Sequence, residues 1–107
     1  MEFGLSDTEI NKINQVFSSF PEIEKVIVYG SRAKGNFRAG SDIDMTLTGK
    51  DLNLHLINEV NGKLDDLLMP YTFDLSILKQ IKNQDVTEHI HRTGKTFYKK
   101  EEKKLHQ

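Results

Sequence analysis

From Asp42 to Thr48 the chain alternates strictly, with Asp42, Asp44, Thr46 and Thr48 set against Ile43, Met45 and Leu47. A period of two belongs to a half-buried strand, whose successive side chains point to opposite faces. The apolar face must meet a core, and the polar face then carries both aspartates. The same period returns further on, where Tyr71, Phe73, Leu75 and Ile77 alternate with Thr72, Asp74 and Ser76. That is a second strand displaying a carboxylate on its polar face. Lys25 to Tyr29 is instead a continuous β-branched run closed by Gly30, which reads as a strand buried on both faces. Three strands are thus expected, with three carboxylates on two of them.

Helical periods fill the spaces between. Ser6 and Glu9 have capping-box spacing, and Ile10, Ile13, Val16, Phe17 and Phe20 follow at helical intervals until Pro21. Asp51 is placed to cap a helix whose apolar stripe is Leu52, Leu56, Val60, Leu64 and Leu67 or Leu68, with Pro70 as its end and Gly62 as a weak point. A last helix spans Gln84 to Thr93, with Val86 and Ile90 facing inward and Gly94 as its stop. Lys95 to Tyr98 reads as a short edge strand. The expected class is α+β, a small mixed sheet of three to four strands flanked by helices.

A chain of 107 residues supports one compact core, and halves of it would be too small without disulfides or metals. Residues 1–98 are expected to form a single domain, and 99–107 a charged C-terminal tail. The chain has no cysteine, which removes disulfides and thiolate zinc sites and fits a reducing cytoplasm. The longest apolar run, Val26 to Tyr29, is far too short for a signal core or a membrane span, so the expectation is a soluble, unexported, cytoplasmic protein. Fifteen basic residues stand against sixteen acidic ones with no basic stripe, which argues against strong nucleic-acid binding. His89 and His91 lie two apart on a helix and point in different directions; with His55 they read as surface residues.

The chemistry concentrates between Gly30 and Asp44. A strand ends at Gly30, and Ser31 to Lys34 can begin a short helix whose free N–H groups face an anion, so this turn reads as a phosphate seat. Glycine lets the backbone approach a bulky phosphate, and the Ser31 hydroxyl can add a hydrogen bond. Asp42 and Asp44 share a face and can share magnesium, which keeps both ionised where bare carboxylates would repel. Asp74 supplies a third carboxylate for a two-metal site. The plainer reading is a turn glycine, a helix cap and carboxylates that solubilise a sheet edge. It has to explain the joint pattern by coincidence.

Gly30-Ser31, ten intervening residues and Asp42-Ile43-Asp44 resemble the signature of the polymerase-β-type nucleotidyltransferase superfamily. Gly-Ser-Arg-Ala-Lys-Gly with Ser-Asp-Ile-Asp resembles its minimal, MNT-type branch, and a later strand bearing an aspartate fits the same order. The resemblance implies a polymerase-β-like fold, with residues 1–98 as a minimal nucleotidyltransferase domain. It implies that Gly30 and Ser31 hold the β and γ phosphates of ATP, with Ser41 among the nucleotide-binding residues. Arg32 and Lys34 either steady phosphate charge or lie on the solvent side. It further implies that Asp42 and Asp44 ligate two magnesium ions, and that Asp74 binds the catalytic one and helps deprotonate an acceptor hydroxyl. Members of that branch work with a separately encoded helical HEPN-type partner. A hetero-oligomer is therefore implied, a toxin-antitoxin pair in which the transferase adenylylates its partner. The competing reading is a noncatalytic binding module that neutralises a partner by covering it. The complete set of aspartates favours the enzyme, since a binding module has no physical need for crowded carboxylates. No Walker-type lysine loop supports a kinase.

Overall fold

The computed structural model describes residues 2–38 and 40–101. Its elements, in chain order, are α1 (Asp7–Ser18), β1 (Ile23–Tyr29), α2 (Ser31–Lys34), β2 (Ile43–Gly49), α3 (Leu54–Asp65), β3 (Phe73–Ile77), a 3-10 turn (Leu78–Gln80), α4 (Gln84–Thr93) and β4 (Lys95–Lys99). The strands form one sheet in the order β3-β2-β1-β4. β1 runs antiparallel to β2 and to β4, while β2 and β3 are parallel. Parallel neighbours need a crossover, and α3 supplies it. The α+β class with a mixed four-stranded sheet is as the sequence predicts.

One face of the sheet carries Val26, Val28, Met45, Leu47 and Ile77 into a core closed by Ile13 and Phe17 of α1 and by Leu56, Val60 and Leu64 of α3. Such a stripe on each helix is what a 3.6-residue period produces. β4 is pinned at its edge by Phe97, whose ring meets Phe17 edge-on at 6.3 Å and Phe3 at 5.6 Å. The capping box forms: the Ser6 hydroxyl accepts from the Glu9 N–H at 3.1 Å, and Glu9 accepts from the Ser6 N–H at 2.9 Å.

Several boundaries differ from the sequence expectations. The α3 cap is Asn53, whose side chain accepts from the Leu56 N–H at 2.9 Å, and Asp51 instead adopts a left-handed turn at φ 60°. Both residue types favour caps and tolerate that turn, so sequence alone does not rank them. α3 ends at Asp65, well before Pro70; Leu67 packs on the core and Leu68 is exposed. β1 is buried on one face only. Val26 and Val28 are enclosed, while Lys25, Ile27 and Tyr29 are half-buried, because α4 covers only part of the second face. α4 does run from Gln84 to Thr93 and stop at Gly94 as expected, with Gly94 at φ −67°; a Cβ there would lie 2.7 Å from the Ile27 side chain, so the glycine lets α4 close on the sheet. The charged tail does not begin at 99. Lys99 closes β4, the Lys100 N–H donates to the Glu24 carbonyl at 2.8 Å, and the Lys100 ammonium donates to the Pro21 carbonyl at 3.0 Å. Residues 102–107 of the expected tail lie outside the described residues. Among the described residues no helix is long and apolar enough to cross a membrane.

Candidate active site

The second face of the sheet holds the polar residues of β2 and β3. Asp44 and Asp74 are register partners across the parallel pair, so their side chains leave adjacent strands, about 4.8 Å apart, on the same side. Tyr29 is the register partner of Asp44 across the antiparallel pair and joins that face from β1. Asp42 lies just ahead of β2 and is exposed, as is Asp74, whereas Asp44 is half-buried between its neighbours. The carboxylates therefore gather where β1 ends and where β2 and β3 begin.

Gly30 follows Tyr29 at φ 77°, ψ −154°, a conformation essentially restricted to glycine. A Cβ there would stand 2.7 Å from Asp44 Oδ2, so the glycine is needed for space as well as for its backbone. The chain then enters α2. Its first internal bond runs from the Lys34 N–H to the Gly30 carbonyl at 3.1 Å, which leaves the amides of Ser31, Arg32 and Ala33 ahead of any such partner. Ser31 is half-buried at this end. The turn and the carboxylates thus meet through the contact of Gly30 with Asp44.

Electrostatics agree with the geometry. The Asp44 carboxyl is held above its usual range, first by burial and then by the charges of Asp74 and Asp42. The Tyr29 phenol is raised by burial and further by Asp44 and Asp74, with Ser76 pulling the other way. A half-buried carboxyl that feels the charges of two neighbouring aspartates suits a divalent cation chemically. Among the described residues no three His, Cys, Asp or Glu side chains form a group that could hold a metal ion. Magnesium takes one or two carboxylates together with water and substrate phosphates, so an open carboxylate edge fits it where a closed cage would not.

The remaining candidates are placed differently. Arg32 is 3% exposed, so it neither faces solvent nor is free for phosphate. Its guanidinium is committed to the carbonyls of Ser41, at 3.1 and 2.9 Å, and Phe3, at 2.8 Å. Lys34 is exposed in the last turn of α2. The Ser41 hydroxyl accepts from the Arg38 N–H at 2.9 Å, and so closes the loop ahead of Asp42. Tyr29 escaped the sequence reading, although its alternation with Val28 and Val26 was a signal for the polar face. Tyr71 and Glu9, whose side chains meet at 3.0 Å, carried no such signal.

Among solved structures the fold matches a toxin-antitoxin crystallised with AMP-PNP, at a TM-score of 0.69 and 23% identity over 90% of this chain and 75% of that one. It also matches the tri-AMPylated Shewanella oneidensis HEPN toxin in complex with MNT antitoxin, at 0.65 and 20% identity over 90% and 74%. The toxin-antitoxin MntA-HepT gives 0.65 and 21% identity over 89% and 74%. At these identities the likeness is one of fold. No curated protein sequence matches the chain. The family model described as polymerase beta, nucleotidyltransferase matches residues 11–103, a span that takes in the whole sheet, the turn at Gly30 and all three aspartates, and the chain belongs to that family.

Proposed function

We propose that the chain transfers a nucleoside monophosphate, AMP by preference, from a magnesium-bound triphosphate to a hydroxyl of a separately encoded helical HEPN-type protein, as the antitoxin of a toxin-antitoxin pair. The observation that carries this reading is the register pairing of Asp44 with Asp74, with Asp42 two residues ahead and the Gly30–Ser31 turn against Asp44. Membership of a nucleotidyltransferase family supports the reaction type. The similar solved structures, one with AMP-PNP and one with a tri-AMPylated HEPN toxin, support the nucleotide and the acceptor.

In this reading Gly30 and Ser31 seat the β and γ phosphates at the start of α2. Asp42 and Asp44 would hold magnesium, with Asp74 sharing the catalytic ion. The acceptor oxygen would bond to the α phosphorus as the bond to the β phosphate breaks and pyrophosphate leaves, and magnesium, when bound, would supply neutralisation of the charge on the attacking and leaving oxygens. Asp74 sits on the edge strand where an acceptor can reach it, and it accepts the proton from the attacking hydroxyl. Asp44 lies deeper in the face, where burial and then Asp74 and Asp42 raise its carboxyl, and a bound cation would offset that rise.

The test is incubation with magnesium and ATP labelled at the α phosphate in a lysate of the source cell, beside γ-labelled ATP and an Asp42→Asn, Asp44→Asn variant. Label from the α but not the γ position, appearing only with the intact aspartates, is the expected result, and the size of the labelled species identifies the acceptor. No transfer with any nucleotide, together with full neutralisation of a partner by the double variant, would instead establish a noncatalytic binding module.

A further inference from the structure

Arg32 is the only charged side chain buried among the described residues, and none of their carboxylates lies within ion-pairing distance of it. Burying an unpaired charge is costly, so its contacts indicate what it accomplishes. Nε and Nη2 grip the Ser41 carbonyl at 3.1 and 2.9 Å, and Nη1 reaches the Phe3 carbonyl at 2.8 Å. The cation lies 4.9 Å from the ring centre of Phe37 and 5.2 Å from that of Tyr71. Tyr71 donates in turn to the Glu9 carboxylate at 3.0 and 3.1 Å, and the charge of Arg32 helps hold the Glu9 carboxyl below its usual value, after larger effects led by the Ser6 N–H. The side chain starts from α2, one residue beyond Ser31, and ends on the carbonyl directly before Asp42.

We propose that Arg32 is a positioning residue, and that its guanidinium sets the spacing between the Gly30–Ser31 turn and Asp42 by clamping the Ser41 carbonyl under the N-terminal segment at Phe3 and Gly4. This rests on the reading of the turn and Asp42 as parts of one nucleotide site. Gly4 belongs to the clamp because it approaches closely. At φ 76°, a Cβ on it would stand 2.8 Å from Arg32 Nη1 and 2.5 Å from the Phe37 ring. Lysine keeps the charge but loses the planar fork that holds two carbonyls at once. Groups that orient metal ligands without touching the metal are worth roughly 10- to 100-fold in affinity when removed.

The test compares Arg32→Lys and Gly4→Ala with the parent chain by amide exchange and by magnesium-ATP binding. Exchange should quicken at Ile43, whose N–H donates to the Thr72 carbonyl at 2.8 Å where β2 begins, and stay unchanged at Val26 and Met45 in the sheet centre. Affinity for magnesium-ATP should fall roughly 10- to 100-fold in Arg32→Lys and less in Gly4→Ala. Uniform exchange along the sheet in both variants, or parental exchange at Ile43 with parental affinity, overturns the proposal. If Arg32→Lys does not fold, Gly4→Ala decides by the same criteria. The exchange experiment needs no nucleotide. A parent chain that binds none refutes the proposed transferase, while the behaviour of Ile43 still judges the clamp.

Discussion

Replacing Gly30 by alanine attacks the site at a point where backbone and carboxylate are coupled. The backbone at φ 77°, ψ −154° is one that alanine occupies at a cost of about 1–3 kcal/mol. The added methyl would meet Asp44 Oδ2 at 2.7 Å, so that the carboxylate must retreat by about 0.7 Å to reach ordinary contact at 3.4 Å. In a domain of this size each kcal/mol moves Tm by about 4–8 °C. A misplacement of about 1 Å in a reacting assembly can cost roughly 100-fold, so label transfer should fall by about 10- to 100-fold. Gly35→Ala is the matched control, because Gly35 also has a positive φ, 85°, but a Cβ there meets nothing within 4 Å. It should lose about 1–2 kcal/mol of stability and keep its transfer rate. Thermal denaturation and α-label transfer, run on both variants, separate strain from displacement. Equal transfer by the two variants would refute the claim that the Gly30–Asp44 contact governs the site.

Asn53→Ala should cost about 1 kcal/mol through loss of the α3 cap, while Asp51→Asn should stay within about 0.5 kcal/mol; urea melts that reversed this order would return the cap to Asp51. Asp44 carries a pH prediction. Burial, then Asp74 and Asp42, raise its carboxyl in the folded chain, so the folded state holds more protons than the unfolded one. Its stabilisation is complete below the ordinary carboxylate value and is lost as pH rises through the raised one. Without divalent cations, Asp44→Asn should therefore melt higher than the parent at pH 7, with the gap closing toward about pH 4. Equal midpoints at pH 7 would contradict the crowding. Magnesium with a nonhydrolysable ATP analogue should raise the parent's Tm, an effect that chelation reverses and that Asp42→Asn, Asp44→Asn lacks.

Periodicity made the three main strands and the faces of α1, α3 and α4 legible, because alternation and helical spacing record burial directly. Asp44 and Asp74 could be placed on polar faces for that reason. Their pairing across adjacent parallel strands could not, since register is settled by how α3 crosses over. The Gly30 turn was readable as an approach to an anion, but not its contact with Asp44, which depends on the β1–β2 ladder. Arg32 stays open in the sequence between the phosphate and the solvent, because arginine beside a phosphate-type turn ordinarily takes one of those two places. Of the groups that enclose it, the Phe37 ring is close in sequence, but the Phe3 carbonyl and the Tyr71 ring come from distant segments. The cap of α3 and the end of β4 turned on one or two residues of equal local preference, decided by tertiary contacts.

The parallel joining of β2 to β3 bears on how the molecule comes into being. Asp44 and Asp74 are 30 positions apart, and a crossover helix must dock before they can become neighbours. Contacts of such long separation form after local ones, since the loop entropy is spent before the ladder returns it. The two like charges are therefore driven together late, against their own repulsion, by the apolar side chains on the opposite side of the same strands. In a freshly made chain that crowding opposes completion of the sheet, and if the proposed cation binds there, its arrival at that moment would act on folding before it acted on any substrate.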